Sequence, residues 1–223
     1  SIACGKGHLK VVRLLLAAGA NKNRANNEEA SPLWRASMEG HLDIVQELLQ
    51  ARANTNQADR TGKSPCWVAS SNGHLDVLTL LLEARAEINA VDATGTSPVW
   101  FAARQGYLEI VRLLANTKAC VNTANKSTGA TALWIAASRG HLRMVQLLVL
   151  LRANLDQTRP PTDTSPLWVA SANAHLPTVR LLIEAVADVS KADHSGTSPQ
   201  EIASLNGHVD LTRFWNGLRT RTG

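Results

Sequence analysis

The sequence predicts an all-α solenoid of stacked helix–turn–helix repeats, and three observations carry that prediction. His8, His41, His74, His141, His175 and His208, with Tyr107 in the one gap, recur at spacings of 33, 33, 33, 34, 34 and 33 residues. Trp34, Trp67, Trp100, Trp134 and Trp168 keep the same step. Between them runs one text, SPLWRASMEGHLDIVQELLQARANTNQADRTGK from Ser31 and SPCWVASSNGHLDVLTLLLEARAEINAVDATGT from Ser64. A period of this length marks units that bury too little alone and gain stability by stacking on their neighbours.

Each element of the unit has a local reason. Ser31 is suited to cap a first helix and Pro32 to enter its first turn, where the missing N–H costs nothing. Leu33 and Ala36 then share one side, and Gly40 ends the helix where positive φ is easy. His41 leads into a second helix whose predicted apolar face is Leu42, Val45, Leu48 and Leu49. Pro177 falls in the first turn of its own second helix, where it is tolerated. Helices of about two to three turns do not persist alone in water, so packing must hold them.

After the second helix, Asp59-Arg60-Thr61-Gly62 predicts a turn, repeated as Asp92-Ala93-Thr94-Gly95 and Asp193-His194-Ser195-Gly196. This settles the reading of RTGKSPCW, residues 60–67, whose Gly62-Lys63-Ser64 has the look of a phosphate-binding loop. Lys63 aligns with Thr96, the first glycine such a loop requires is Gln57, and no strand precedes it. Two turns depart from the rule. Glu29 stands at the glycine position of the first, and Arg159-Pro160-Pro161-Thr162-Asp163, one residue longer, predicts a stiffer and differently aimed finger.

The repeated text resembles the ankyrin repeat, whose T-P-L-H-x-A signature stands here as SPLWRA, SPCWVA, SPVWFA, TALWIA and SPLWVA. Tryptophan replaces the signature histidine, and Glu201 stands there in the last copy. The resemblance implies an ankyrin-type α-solenoid and a single array over residues 1–223. Its repeats fall at about 1–30 (partial), 31–63, 64–96, 97–130, 131–164, 165–197 and 198–223. The first copy lacks its opening SPLW, which suggests a cut from a longer chain. The last, with Glu201, Thr212, Asn216 and Gly217, reads as a C-terminal cap.

Composition narrows the function classes. A net charge of +5 and a pI near 9.4 favour acidic partners weakly and are too modest to imply nucleic acid alone. Cys4, Cys66 and Cys120 form no disulfide or zinc pattern, which fits a reducing intracellular setting, expected to be the cytoplasm. Apolar runs such as 147–151 are too short to span a bilayer. No cofactor, metal site or catalytic residue is expected. Histidines one repeat apart stand about 8–10 Å from one another, too far to share a metal, and no nucleophile–base pair stands outside the repeat.

The repeated residues read as scaffold. The tryptophans are expected to pack between helix pairs and the base of the turns rather than form a stacking strip. Arg52, Arg85, Lys118 and Arg152 share the position after the second helix where the family has glycine. A cation there complements the helix C-terminus, at a cost of about 1 kcal/mol for a left-handed non-glycine residue. Arg35 alone breaks an apolar position, either pairing with Glu28, Glu29 or Glu39 or snorkelling beside a loosened first repeat. Asn56, Asn89 and Asn122 stand where the family resemblance implies targets of asparagine hydroxylation, but are read here as bridging the turn backbone. Asn125-Lys126-Ser127 matches a glycosylation sequon, which carries little without a secretory signal.

What varies between repeats points to function. In arrays of this kind the turn tips and first-helix ends line a concave binding face. Here these are Asn27, Glu28, Ala30, Met38 and Glu39; Arg60, Thr61, Lys63, Ser71 and Asn72; Ala93, Thr94, Thr96, Arg104 and Gln105. Lys126, Ser127, Ser138 and Arg139 follow, then Pro160, Pro161, Ala172, Asn173, His194, Ser195, Leu205 and Asn206. Acids cluster early and Arg60, Lys63, Arg104, Lys126 and Arg139 occupy the middle, which predicts a monomeric, non-enzymatic scaffold capturing an acidic segment of a protein partner. Two alternatives are a targeting arm of a larger enzyme, and binding of nucleic acid or another anionic surface through the basic positions.

Overall fold

The computed structural model describes residues 1–219, and the chain divides into two compact units, Ser1–Cys120 and Val121–Gly223. The first holds α1 (Ile2–Gly5), α2 (Leu9–Ala17), α3 (Pro32–Glu39), α4 (Leu42–Gln50), α5 (Pro65–Ser71), α6 (Leu75–Glu83), α7 (Pro98–Gln105) and α8 (Leu108–Asn116). The second holds α9 (Ala132–Ser138), α10 (Leu142–Leu150), α11 (Pro166–Ala172), α12 (Leu176–Glu184), α13 (Pro199–Leu205) and α14 (Val209–Arg219). The fold is all-α, and within each unit every helix pair packs as a hairpin against the next pair.

The first helix of each repeat starts as the sequence predicts. Ser31, Ser64, Ser97, Thr131 and Ser165 each accept, at 3.1 Å, the backbone N–H of the tryptophan three residues on. Ser198 does the same for Glu201, whose carboxylate accepts the Ser198 N–H in return and so completes a capping box. Gly40 and Gly106 close their helices at φ 77 and 80. A side chain at Gly40 would also be blocked, since a Cβ there would meet the His74 ring at 2.6 Å.

The second helices bury a face displaced from the predicted one. Ile44, Val45 and Leu48 are at most 1% exposed, whereas Leu42 is 40% exposed and Leu49 half-buried. The stripe centres on Leu48, and at about 100° per residue Leu42 lies about 120° round the axis from it. The same three register positions recur as Val77, Leu78 and Leu81, then Ile110, Val111 and Leu114, and in the second unit as Met144, Val145 and Leu148.

The turns form fingers closed by an aspartate. Asp59 Oδ1 accepts from the Thr61 N–H, the Thr61 hydroxyl and the Lys63 N–H, while the Gly62 N–H donates to the Asp59 carbonyl at 2.9 Å. Asp92 and Asp193 repeat the arrangement. Fingers join edge to edge through Arg60 N–H to Glu28 O (3.1 Å), Ala93 N–H to Thr61 O (2.9 Å) and, in the second unit, His194 N–H to Thr162 O (2.9 Å). The two irregular turns keep the finger by other means. Glu29 takes φ 62 and Asp163 φ 52. Arg159 and Thr164 pair across the longer one, with a cis Pro160–Pro161 bond at its tip.

Candidate functional site

The repeated side chains are spent on joining one repeat to the next. The indole N–H of Trp34 donates to Lys63 O (2.8 Å), of Trp67 to Thr96 O (2.9 Å), of Trp134 to Thr164 O (3.1 Å) and of Trp168 to Thr197 O (2.9 Å). The Lys63 and Thr96 carbonyls also accept the Asp59 and Asp92 N–H groups that close their fingers, so each serves both turn and stack. His41 bonds Gly5 O, His74 bonds Met38 O, His175 bonds Ser138 O and His208 bonds Ala172 O, at 3.2, 3.0, 3.1 and 2.8 Å.

The asparagines act across repeats rather than within a turn. Asn56 Oδ1 accepts the Glu87 N–H, Asn89 Oδ1 the Cys120 N–H and Asn122 Oδ1 the Asn154 N–H. Arg52, Arg85, Lys118 and Arg152 take left-handed φ values of 58, 60, 68 and 58, and all four are exposed. Arg35 is half-buried with its guanidinium over Gly5, where a Cβ would meet Nε at 3.2 Å, and it joins none of the ion pairs among the described residues. That matches snorkelling. Asn125 of the sequon is 4% exposed and its Oδ1 accepts the Thr128 N–H.

With the tryptophans and histidines bonded across the stack, the fingers and first-helix ends of the first unit line a cleft of about 450 Å³. Its floor is Trp34, Met38, Trp67, Val68 and Phe101, which pack as one apolar cluster with Ala30. Phe101 lies 5.1 Å from the Trp67 ring, tilted by 55°. Cations stand over these rings, with Lys63 Nζ 4.9 Å from Trp67 and the Arg104 guanidinium 5.8 Å from Trp100 and 5.6 Å from Phe101. Glu28, Asp59, Arg60 and Thr61 line the finger side, and Ser71, Asn72 and Gln105 the helix side.

Of the expected site residues, Arg60, Thr61, Lys63, Ser71, Asn72 and Gln105 thus meet around one cleft, and Arg104 reaches its floor. Arg60, Asn72 and Gln105 are exposed, but Ser71 is 8% and Thr96 5% exposed. Ser71 Oγ donates back to Val68 O, and the Thr96 hydroxyl is shared with Thr94. Ala30 is fully buried. Lys126, Ser127 and Arg139 are exposed and Ser138 half-buried, all four in the second unit. Of the floor, Met38 alone belongs to the face expected from the sequence. Val68 and Phe101 fill a position that is apolar in most repeats and reads as core.

The chemistry of the remaining groups is quiet. Burial pushes the Cys66 thiol up to about 12 against a weaker pull from Ser70, and burial also raises Cys4. No group of three or more His, Cys, Asp or Glu side chains among the described residues is placed to hold a metal ion, and no described helix is long and apolar enough to cross a membrane.

The profile for ankyrin repeats in three copies matches residues 1–92 and 67–159. No curated protein matches the chain. Among solved structures, the ankyrin repeat domain of Bcl-3, described as a unique member of the IκB protein family, is 26% identical with a TM-score of 0.83, covering 95% of this chain and 96% of its own. The ankyrin repeat domain of human ASB11 is 24% identical with a TM-score of 0.77, covering 90% and 89%, and supports the fold alone.

Proposed function

Since the chain belongs to the ankyrin-repeat family, we propose that it acts as a non-enzymatic scaffold that captures a protein partner, through an acidic segment, on the face of its fingers and first-helix ends. Ankyrin repeats bind protein partners, and one observation carries the finer reading. The repeated tryptophans and histidines are consumed by bonds between repeats, while Arg60, Gln105, Lys126 and Arg139, whose positions vary from repeat to repeat, are left exposed. A preformed surface of this kind loses little entropy on binding, and its cations favour an acidic segment. We read the chain as a monomer in a reducing intracellular compartment, in keeping with its three free cysteines.

The test is affinity capture from a cell extract, comparing the chain with its Arg104→Glu, Lys126→Glu, Arg139→Glu variant. A protein retained by the first and lost by the second supports the reading. Equal retention by both removes this face from consideration.

A further inference from the structure

We propose, resting on the reading above, that the cleft of the first unit takes an extended peptide segment in which one aliphatic or aromatic side chain stands beside one or two carboxylates. The apolar half of that chemistry comes from the floor. Met38 and Phe101 are only half-buried and present an apolar patch between finger and helix ends, backed by buried Val68. The indole N–H groups of Trp34 and Trp67 already donate to the Lys63 and Thr96 carbonyls, so those buried rings back the floor and give a guest no polar handle. A guest seated there is therefore apolar, because a polar ring would leave its own hydrogen-bonding edge unsatisfied. A volume of about 450 Å³ holds one large side chain and its flanking backbone.

The charged half comes from the rim. Arg60 and Lys63 join none of the ion pairs among the described residues, and Lys63 is fixed over Trp67 beside the floor. An acid next to the anchor meets both. On the helix side, the Asn72 amide donates to Val68 O at 2.8 Å and to Ser71 Oγ, which leaves its Oδ1 as an acceptor for a backbone N–H. Glu28 and Asp59 line the same cleft and set the sense of the charge requirement. A nucleic-acid backbone, carrying a charge on every phosphate, would meet these carboxylates, whereas a peptide with one or two acids avoids them.

The test pans a random dodecapeptide library against the intact 223-residue chain and measures the enriched peptides by fluorescence anisotropy. The variants are Arg60→Glu/Lys63→Glu, Phe101→Val and Lys126→Glu/Arg139→Glu, with Lys10→Glu/Arg143→Glu as the control, each checked by circular dichroism. Phe101→Val installs the residue that position 68 already carries, so the fold is retained. The expected result is a consensus with an acid next to an apolar anchor. Its affinity falls at least tenfold in the first two variants and by less in the third, and stays within twofold in Lys10→Glu/Arg143→Glu, an equal charge change on exposed residues of α2 and α10 outside the proposed face. Acidic peptides lost only with Lys126→Glu/Arg139→Glu would overturn the cleft assignment and leave the wider binding face standing. Enrichment of nothing, or of peptides indifferent to the first three variants, would overturn the segment chemistry and count against the wider reading as well.

Discussion

Val186 exposes a local cost that the stack tolerates. It follows α12 at φ 69 with 84% of its surface exposed, at the position where the first repeat has Gly19 at φ 76. A β-branched residue in the left-handed region is a steric outlier. Val186→Gly removes about 1–2 kcal/mol of strain and returns part of it as unfolded-state entropy. The expected net gain is about 1 kcal/mol, or roughly 2–4 °C in Tm, and thermal unfolding that stays level or drops would refute it. Trp67→Phe should act the other way. It deletes the donor to Thr96 O, worth about 1 kcal/mol, and leaves a void beside Phe101, so a loss of about 2 kcal/mol is expected as a lower urea midpoint. Periodicity announced that these tryptophans and asparagines are structural, but not their partners. A repeated polar residue satisfied inside its own turn has the same spacing as one reaching 29 or 31 residues ahead, so the bonds of Trp67 and Asn56 were beyond sequence reasoning.

At the scale of the element, caps and turns were legible because their chemistry is local. Ser31, Pro32, Gly40 and Asp59 each act within four residues, and each does what its type predicts. The capping box of Ser198 and Glu201 was equally readable as S-x-x-E, although Glu201 had drawn notice only as a replacement for tryptophan. Two things were not readable. The buried stripe of α4 follows Ile44 and Leu48, since hydrophobicity alone does not say which of several leucines meets the neighbour. Apart from Met38, the cleft floor was hidden because Phe101 occupies a core register position and its exposure depends on how far the finger overhangs it. Fingers should also be the acid-sensitive element. In the loop leading to the last finger, the hydroxyl and backbone N–H of Ser190 hold Asp188 below its ordinary range. At Asp193, burial works upward but is outweighed by the Ser195 hydroxyl and the Thr197 and Ser195 N–H groups. A carboxylate depressed in the folded state contributes stability above its unfolded value of about 4, and that contribution is lost as pH falls through the lower folded value. Asp193→Asn should therefore be less stable than the parent at pH 7 and show a shallower loss below pH 4. Parallel pH–stability curves would exclude a role for this turn.

At the scale of the whole molecule, the step of 33 or 34 residues runs from His8 to His208 without a break at Cys120, where the two compact units divide. We propose on that ground that the chain folds as one array. Stability in such arrays is a sum of repeat and nearest-neighbour terms, so damage in one repeat is felt in others. The cysteines supply the measurement. Cys66 is fully buried in the first unit, with its thiol pushed up to about 12, so it is shielded from a thiol reagent until that unit opens, while exposed Cys120 is the site for rapid labelling. Cys120→Ser therefore leaves a chain whose labelling follows buried thiols, and Cys4→Ser in addition leaves Cys66 alone. On that background Leu148→Ala, in the second unit, removes a side chain that is fully buried, at an expected cost of about 2–5 kcal/mol. If the chain is one array, labelling of Cys66 in urea moves to a lower midpoint together with the loss of helix signal. If Cys66 keeps its midpoint while part of the helix signal melts early, the units fold independently and the boundary at Cys120 is a domain boundary.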